Sequence, residues 1–369
     1  MYNQYGVKQI TVVLIILIGQ FLSCEPFATQ FEEIEDAVFY YSSKIEPPPA
    51  EVNELKIMTW NIRFGIGRVL WFGDSCGDRV IMSKDEVYPN LQRMADIINQ
   101  TKPDIILLQE VDINSKKSAY IDQVQWLLDN THLNYGVFAY TWKSPFVPSD
   151  GLGRIKEGNA ILSRWKFMEG TRIKLPRRED QDALTHYFYI QPCILKAKIA
   201  LPQKDNFFIF NTHLSAFATD DSKMKQIDVL MAEVNKSNSR GDHFVLGGDF
   251  NLLPPNSDST DYCFEDMCPD ESYHKPGDDP FHKEGSDYTP EITWLQPVYN
   301  AYTPAVSLQD YGSDQSKFFT HTTRLNSDCD RKLDYLFTNI NWKNGSAFTH
   351  KNVITISDHA AVSAIVEVQ

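Results

Sequence analysis

The chain has 369 residues, 42% of them hydrophobic, and a formal net charge of −14 from 49 acidic against 35 basic side chains. That length is enough to bury the core of one large α/β domain, and no internal repeat or low-complexity array divides it. The acidic balance and the lack of a basic stripe argue against tight binding to long nucleic acids, whose affinity rests on phosphate contacts, although a small basic patch with a divalent cation is enough for a nuclease site.

At the N-terminus Lys8 precedes an apolar run over residues 10–18 that continues through Phe21-Leu22-Ser23 to Cys24. This is the form of a signal peptide, and the run is shorter than the ~20 residues a membrane-spanning helix needs. Phe21-Leu22-Ser23-Cys24 resembles a bacterial lipoprotein box. Residues 1–23 are therefore expected to be a lipoprotein-type signal peptide and Cys24 a lipid anchor. The protein would be exported, at the membrane in the periplasm or at the cell surface, or secreted if the cysteine is incidental. Residues 24–54 read as a tether, in which 31–41 has enough apolar content for a short helix and Pro47-Pro48-Pro49 stiffens the remainder. The folded domain is expected over residues 55–369.

From residue 56 onward, apolar strand-like runs end in polar signatures. Residues 56–60 lead into Trp60-Asn61, 104–108 into Gln109-Glu110, 207–210 into Asn211-Thr212-His213, and 244–246 into Gly248-Asp249-Phe250-Asn251. Leu333-Asp334-Tyr335-Leu336-Phe337 carries a carboxylate within its run, and Ser357-Asp358-His359 precedes the last strand pattern, 361–368. A carboxylate in a core strand needs a partner, because burying an unpaired charge costs several kcal/mol or shifts its pKa, and His359 is a natural partner for Asp334. Further strand runs fall at 135–140, 160–162 and 187–199. Val87, Leu91, Met94, Ala95 and Ile98 recur at helical spacing, as do Met224, Ile227, Leu230, Met231 and Val234, which predicts two core-facing helices.

Taken singly, these signatures are ordinary. Gly-Asp-Phe-Asn and Asn61 suit turns, Glu110 and Asp358 suit solvated strand ends, and a lone His213 suits a structural role. All six together, on successive strand ends, describe one active site, because groups there can leave a sheet without losing a ladder partner.

The set resembles that of the endonuclease/exonuclease/phosphatase superfamily, which includes deoxyribonuclease I, neutral sphingomyelinases, inositol polyphosphate phosphatases and deadenylases. The likeness runs from about residue 55 to residue 368. It implies a deoxyribonuclease I-like four-layer α/β sandwich, two mixed β-sheets packed face to face with helices outside. It also implies that Glu110 is the principal divalent-metal ligand, with Asn61 and Asp358 close to the metal and the scissile phosphate. His213 and His359 would be the pair that serves hydrolysis, Asp249 and Asn251 would orient the nucleophile and contact phosphate, and Asp334 would orient His359. Asn61, Asn251 and His213 would touch substrate. In the abasic-site repair enzymes of the group, the strand end of His213 carries a different motif, so the nuclease, lipid-phosphodiesterase and phosphatase branches are the nearer ones.

The chemistry asks for the same residue types. Hydrolysis of a phosphodiester needs charge stabilisation, in-line water and protonation of the leaving oxygen. Mg²⁺, with Mn²⁺ as a substitute, suits a sparse oxygen set, and histidines titrate near neutral pH. The expected activity is phosphodiester cleavage in a nucleic acid or phospholipid head group. The alternatives are a phosphomonoesterase on inositol phosphates or similar small molecules, and a non-catalytic surface binding protein. A monomer is the default.

Residues 65–86, containing Trp71-Phe72-Gly73-Asp74, are expected to overhang the site as a recognition loop or to pack as a surface excursion. Residues 142–148 read as an apolar loop, and Arg154, Lys156 and Arg164 are weak candidates for phosphate contact. Residues 254–318 are acidic and loop-rich, which suits a solvated face. Beyond Cys24 there are five cysteines, at 76, 193, 263, 268 and 329. Cys263 and Cys268 are closest in sequence, the odd number leaves at least one thiol unpaired, and no Cys/His zinc pattern is present.

Overall fold

The computed structural model describes residues 28–74, 76–268 and 285–368. The expected signal peptide and Cys24 lie outside the described residues. Among those residues, no helix is long and apolar enough to cross a membrane.

The first strands are β1 (Ile34–Asp36), β2 (Val38–Tyr41), β3 (Glu54–Asn61), β4 (Ile105–Asp112) and β5 (Tyr135–Val147). They are followed by β6 (Gly153–Ser163), β7 (Phe167–Lys174), β8 (Cys193–Leu201), β9 (Lys204–His213) and β10 (His243–Asp249). The last are β11 (Thr303–Pro304), β12 (Asp334–Thr338), β13 (Asn341–Trp342), β14 (Phe348–His350) and β15 (Ala361–Glu367). The helices that bear on the site and its core are α1 (Lys84–Thr101), α2 (Gln123–Asn130), α3 (Ala183–Phe188) and α4 (Ser222–Ser239).

One sheet has the order β1-β7-β8-β9-β10-β12-β11, and the other β13-β15-β3-β4-β6-β5-β2 with β14 on β15. Alternation along the central strands sorts their side chains into three cores. Leu55, Ile57, Ile105 and Leu107 meet Ile209, Val245 and Leu336 between the sheets. Met58, Trp60, Ile106 and Leu108 point the other way, onto Leu91, Met94 and Ile98 of α1 and Leu127 of α2. On the far sheet Phe210, Phe244 and Leu246 pack against Ile227, Leu230 and Val234 of α4. Helix, sheet, sheet and helix make the expected four layers.

Several local expectations are corrected. Residues 34–41 form no helix: β1 pairs with β7 and β2 with β5, so this part of the supposed tether completes an edge of each sheet. Free ladder edges and the β-favouring run Val38-Phe39-Tyr40-Tyr41 outweigh local helical content. Tyr187 and Phe188 end α3 rather than begin a strand, and residues 142–147 extend β5 instead of looping out. Met224 is 38% exposed on α4, where Lys223 and Gln226 take buried positions beside Ile227.

Candidate active site

Strands β3, β4, β9 and β10 run one to four residues past their apolar stretches, so the polar signatures at their ends are held in the ladders themselves. β3 and β4 are parallel with Asn61 opposite Gln109. β9 and β10 are parallel with His213 opposite Asp249, and antiparallel β12 sets Asp334 opposite Asp249 on its other side. One row across the sheet is thus His213, Asp249, Asp334. Gly248 makes this pairing close: it adopts φ +143, and a Cβ there would stand 1.9 Å from the Thr212 carbonyl oxygen.

The two sheets are joined beneath the site by an amide pair. Gln109 Nε2 donates to Asn211 Oδ1 at 2.7 Å, and Asn211 Nδ2 donates to the Leu108 and Ala160 carbonyls at 2.9 Å each. Both side chains are fully buried. The ladder of β4 slips between Leu108 and Val111, and Glu110 sits there at φ 54, a bulge that turns its carboxylate out of the pleat.

Asn61 links both sheets at the site. Its Nδ2 donates to Glu110 Oε1 at 2.9 Å and to Asp249 Oδ2 at 3.1 Å, while Oδ1 accepts from the Arg63 backbone at 3.0 Å. Asp249 Oδ2 also lies 3.4 Å from His213 Nε2 and 3.5 Å from His359 Nε2. His359 Nδ1 lies 2.8 Å from Asp334 Oδ2. Burial would push the His359 imidazole down, but Asp334 and Asp249 outweigh it and hold it up at about 10. Asn251, at φ 48, donates from its backbone to Asp249 Oδ1 at 3.0 Å and from Nδ2 to the Leu214 carbonyl at 3.0 Å.

Asp358 and Glu110, two of the three ligands implied by resemblance, have strongly perturbed carboxyls. Asp358 is ion-paired with Arg63 Nε at 3.1 Å and held well below the usual carboxylate range, because Arg63 and then His359 outweigh burial. Among the described residues, the donor groups that converge within 4.8 Å are Asp249, Asp334 and His359, and His321, Asp358 and His359. Glu110 lies beside them, accepting from the Asn61 amide. It senses Asp358 electrostatically, and burial followed by Glu157 and Asp358 pushes its carboxyl up to about 8.

The ligand set implied by resemblance has the chemistry a divalent cation needs. Glu110, Asn61 and Asp358 offer hard oxygen atoms, and the Glu110 carboxylate is destabilised by burial and by two other carboxylates, a cost that a bound dication offsets.

Sequence reasoning did not find several neighbours. Arg63, two residues past Asn61, braces Asp358 and Asp74. The His321 ring lies 4.4 Å from that of His359, and Thr320 Oγ1 accepts from the Leu333 and Asp334 backbones at 2.9 and 3.2 Å. Lys117 is fully buried, ion-paired with Glu157 and 3.2 Å above the Phe64 ring. Phe319-Thr320-His321-Thr322 ends no apolar run, and a lysine between surface-like residues carries no signal of burial. Arg164 pairs with Asp104 before the start of β4, at the end opposite Glu110. The disulfide joins Cys76 to Cys268 across 192 residues, not Cys263 to its sequence neighbour, and ties the loop after β3 to the segment after β10.

The sequence matches the Endonuclease/Exonuclease/phosphatase family over residues 58–359. The chain belongs to that family. No curated protein matches the sequence. Solved structures share the fold at low identity. An endonuclease/exonuclease/phosphatase from Beutenbergia cavernae DSM 12333 is 19% identical with a TM-score of 0.56, over 86% of this chain and 72% of that one. A family protein from Leptotrichia buccalis C-1013-b is 15% identical with a TM-score of 0.52, over 85% and 99%. A functionally unknown conserved protein from Enterococcus faecalis V583 is 16% identical with a TM-score of 0.51, over 85% and 99%. The deoxyribonuclease I-like sandwich is therefore the family fold. Endonuclease/exonuclease/phosphatase hydrolases generally act on phosphoester bonds and use divalent metal ions, in keeping with the donor groups here.

Proposed function

We propose that the protein is a Mg²⁺-dependent phosphodiesterase. The observation that carries this reading is the convergence on Asp249 of three groups from three strand ends or loops: the Asn61 amide, His213 Nε2 and His359 Nε2. Such a cluster can hold a water and surround a phosphoryl group with donors.

In this reading Glu110, Asn61 and Asp358 hold Mg²⁺, with Mn²⁺ as a substitute, and the ion would neutralise charge on the phosphate. Asp249 positions the attacking water, with its own orientation set by the Asn61 amide and the Asn251 backbone. His359, held as the imidazolium by Asp334, presents positive charge and a proton from Nε2. His213 presents its Nε2 from the other side of Asp249. The substrate is a phosphoester in a nucleic acid, a phospholipid or a small molecule.

Export, as a membrane-anchored lipoprotein through Cys24 or as a secreted monomer, belongs to the same proposal. The Cys76–Cys268 bond supports it, since disulfides persist mainly in oxidising compartments.

The test is hydrolysis of bis-p-nitrophenyl phosphate, plasmid DNA and sphingomyelin in parallel, with and without Mg²⁺. Cleavage of a diester supports the reading and the preferred substrate picks the branch. Activity confined to monoesters would replace it with a phosphomonoesterase, and inertness towards every ester with metal still bound would point to a binding role.

A further inference from the structure

Beside Glu110 and His213 lies a cavity of about 450 Å³, within the range of small-molecule sites. Separate stretches build its walls: Trp71 and Phe72 after β3, Trp142 on β5, Leu184 and Phe188 on α3, and Phe217 after β9. The Cys76–Cys268 bond anchors the first of these stretches.

Two features define what the cavity accepts. No Lys or Arg lines it among the described residues, and of its three lining carboxylates Asp74 is paired with Arg63 and Glu157 with Lys117. Past Glu110, then, the walls are mostly apolar, and none of their side chains is a cation that could neutralise a second phosphate. At the mouth Leu184 is 69% exposed and Phe217 37%, an apolar rim on the path from solvent.

We propose that this cavity is the subsite for an uncharged apolar substituent, aryl or alkyl, of the phosphoester whose phosphate sits at Glu110 and His213. The assignment rests on the phosphoesterase reading for the position of that phosphate. A polyanion or an inositol polyphosphate has no counter-charge to meet in it.

Binding is measured apart from turnover, by calorimetric titration of the protein with methylphosphonate, phenylphosphonate and hexylphosphonate in Mg²⁺. Phenylphosphonate or hexylphosphonate binds at least ~10-fold tighter than methylphosphonate, the factor ~1.4 kcal/mol of burial supplies. Preference for phenyl identifies an aryl substituent, and preference for hexyl an alkyl chain. Leu184→Asp, at the exposed rim, and Ala216→Trp, at a lining residue where the larger side chain fills the cavity, abolish the advantage and leave methylphosphonate affinity unchanged. Equal affinity for all three, or an advantage that survives both substitutions, overturns the subsite. Tight selective binding without any Mg²⁺-dependent hydrolysis overturns the hydrolase reading and leaves the subsite standing.

Discussion

His359 Nδ1 and Asp334 Oδ2 stand 2.8 Å apart, joining the loop before β15 to the first residue of β12. Asp334 is fully buried, and its side chain fixes the histidine so that Nε2 faces Asp249.

Asp334→Asn keeps the shape and removes the charge that stabilises the imidazolium. By the precedent of carboxylate–histidine pairs elsewhere, kcat falls roughly 10²–10⁴-fold while KM stays within a few-fold. Steady-state kinetics on bis-p-nitrophenyl phosphate check this. A variant with unaltered kcat would remove Asp334 from the account.

Asn211→Leu tests the bond between the sheets. It strands the Leu108 and Ala160 carbonyls and the Gln109 amide in the interior, each at about 1–3 kcal/mol. Urea unfolding should show a loss of at least ~2 kcal/mol. A loss within experimental scatter would mean that water or repacking satisfies those groups.

These two positions show how far sequence carries. Asn61, Glu110, His213, Asp249 and His359 stand out in the sequence because each is a polar residue at the boundary of an apolar run. Gln109 and Asn211 are visible as motif residues, but their bond spans two sheets and 102 positions, and no local pattern encodes it. Residues 34–41 mislead because an edge strand's partner is a distant ladder, and local propensity is weak beside it. Arg63, His321 and Lys117 escape notice because their roles come from burial next to carboxylates brought in by the fold.

His350, on β14 away from the site, makes stability depend on acid. Burial pushes its imidazole down to about 4, and Nε2 bonds Ser363 Oγ at 2.8 Å. A base with a lowered folded value binds fewer protons in the native state than in the unfolded one. Its contribution is therefore complete above about pH 6.5 and is lost as pH falls towards 4. The urea midpoint should drop across that window, and less so in His350→Gln. Parallel profiles for the two proteins would exclude this residue as the cause.

The Cys76–Cys268 bond closes a 192-residue separation and holds the Trp71 loop beside the cavity. Cys76→Ser should lower stability by about 5 kcal/mol on the chain-entropy account, and raise KM more than it lowers kcat. Thermal unfolding and kinetics of the variant separate these effects. An unchanged KM would show that the loop is held by its packing alone.

The most direct test of the central claim is the rate of bis-p-nitrophenyl phosphate hydrolysis against Mg²⁺ concentration for the natural protein, Glu110→Gln and His359→Ala. The account predicts a saturable Mg²⁺ dependence in the natural protein and a loss of at least ~10²-fold in each variant. Rates independent of Mg²⁺, or variants as active as the natural protein, would contradict it.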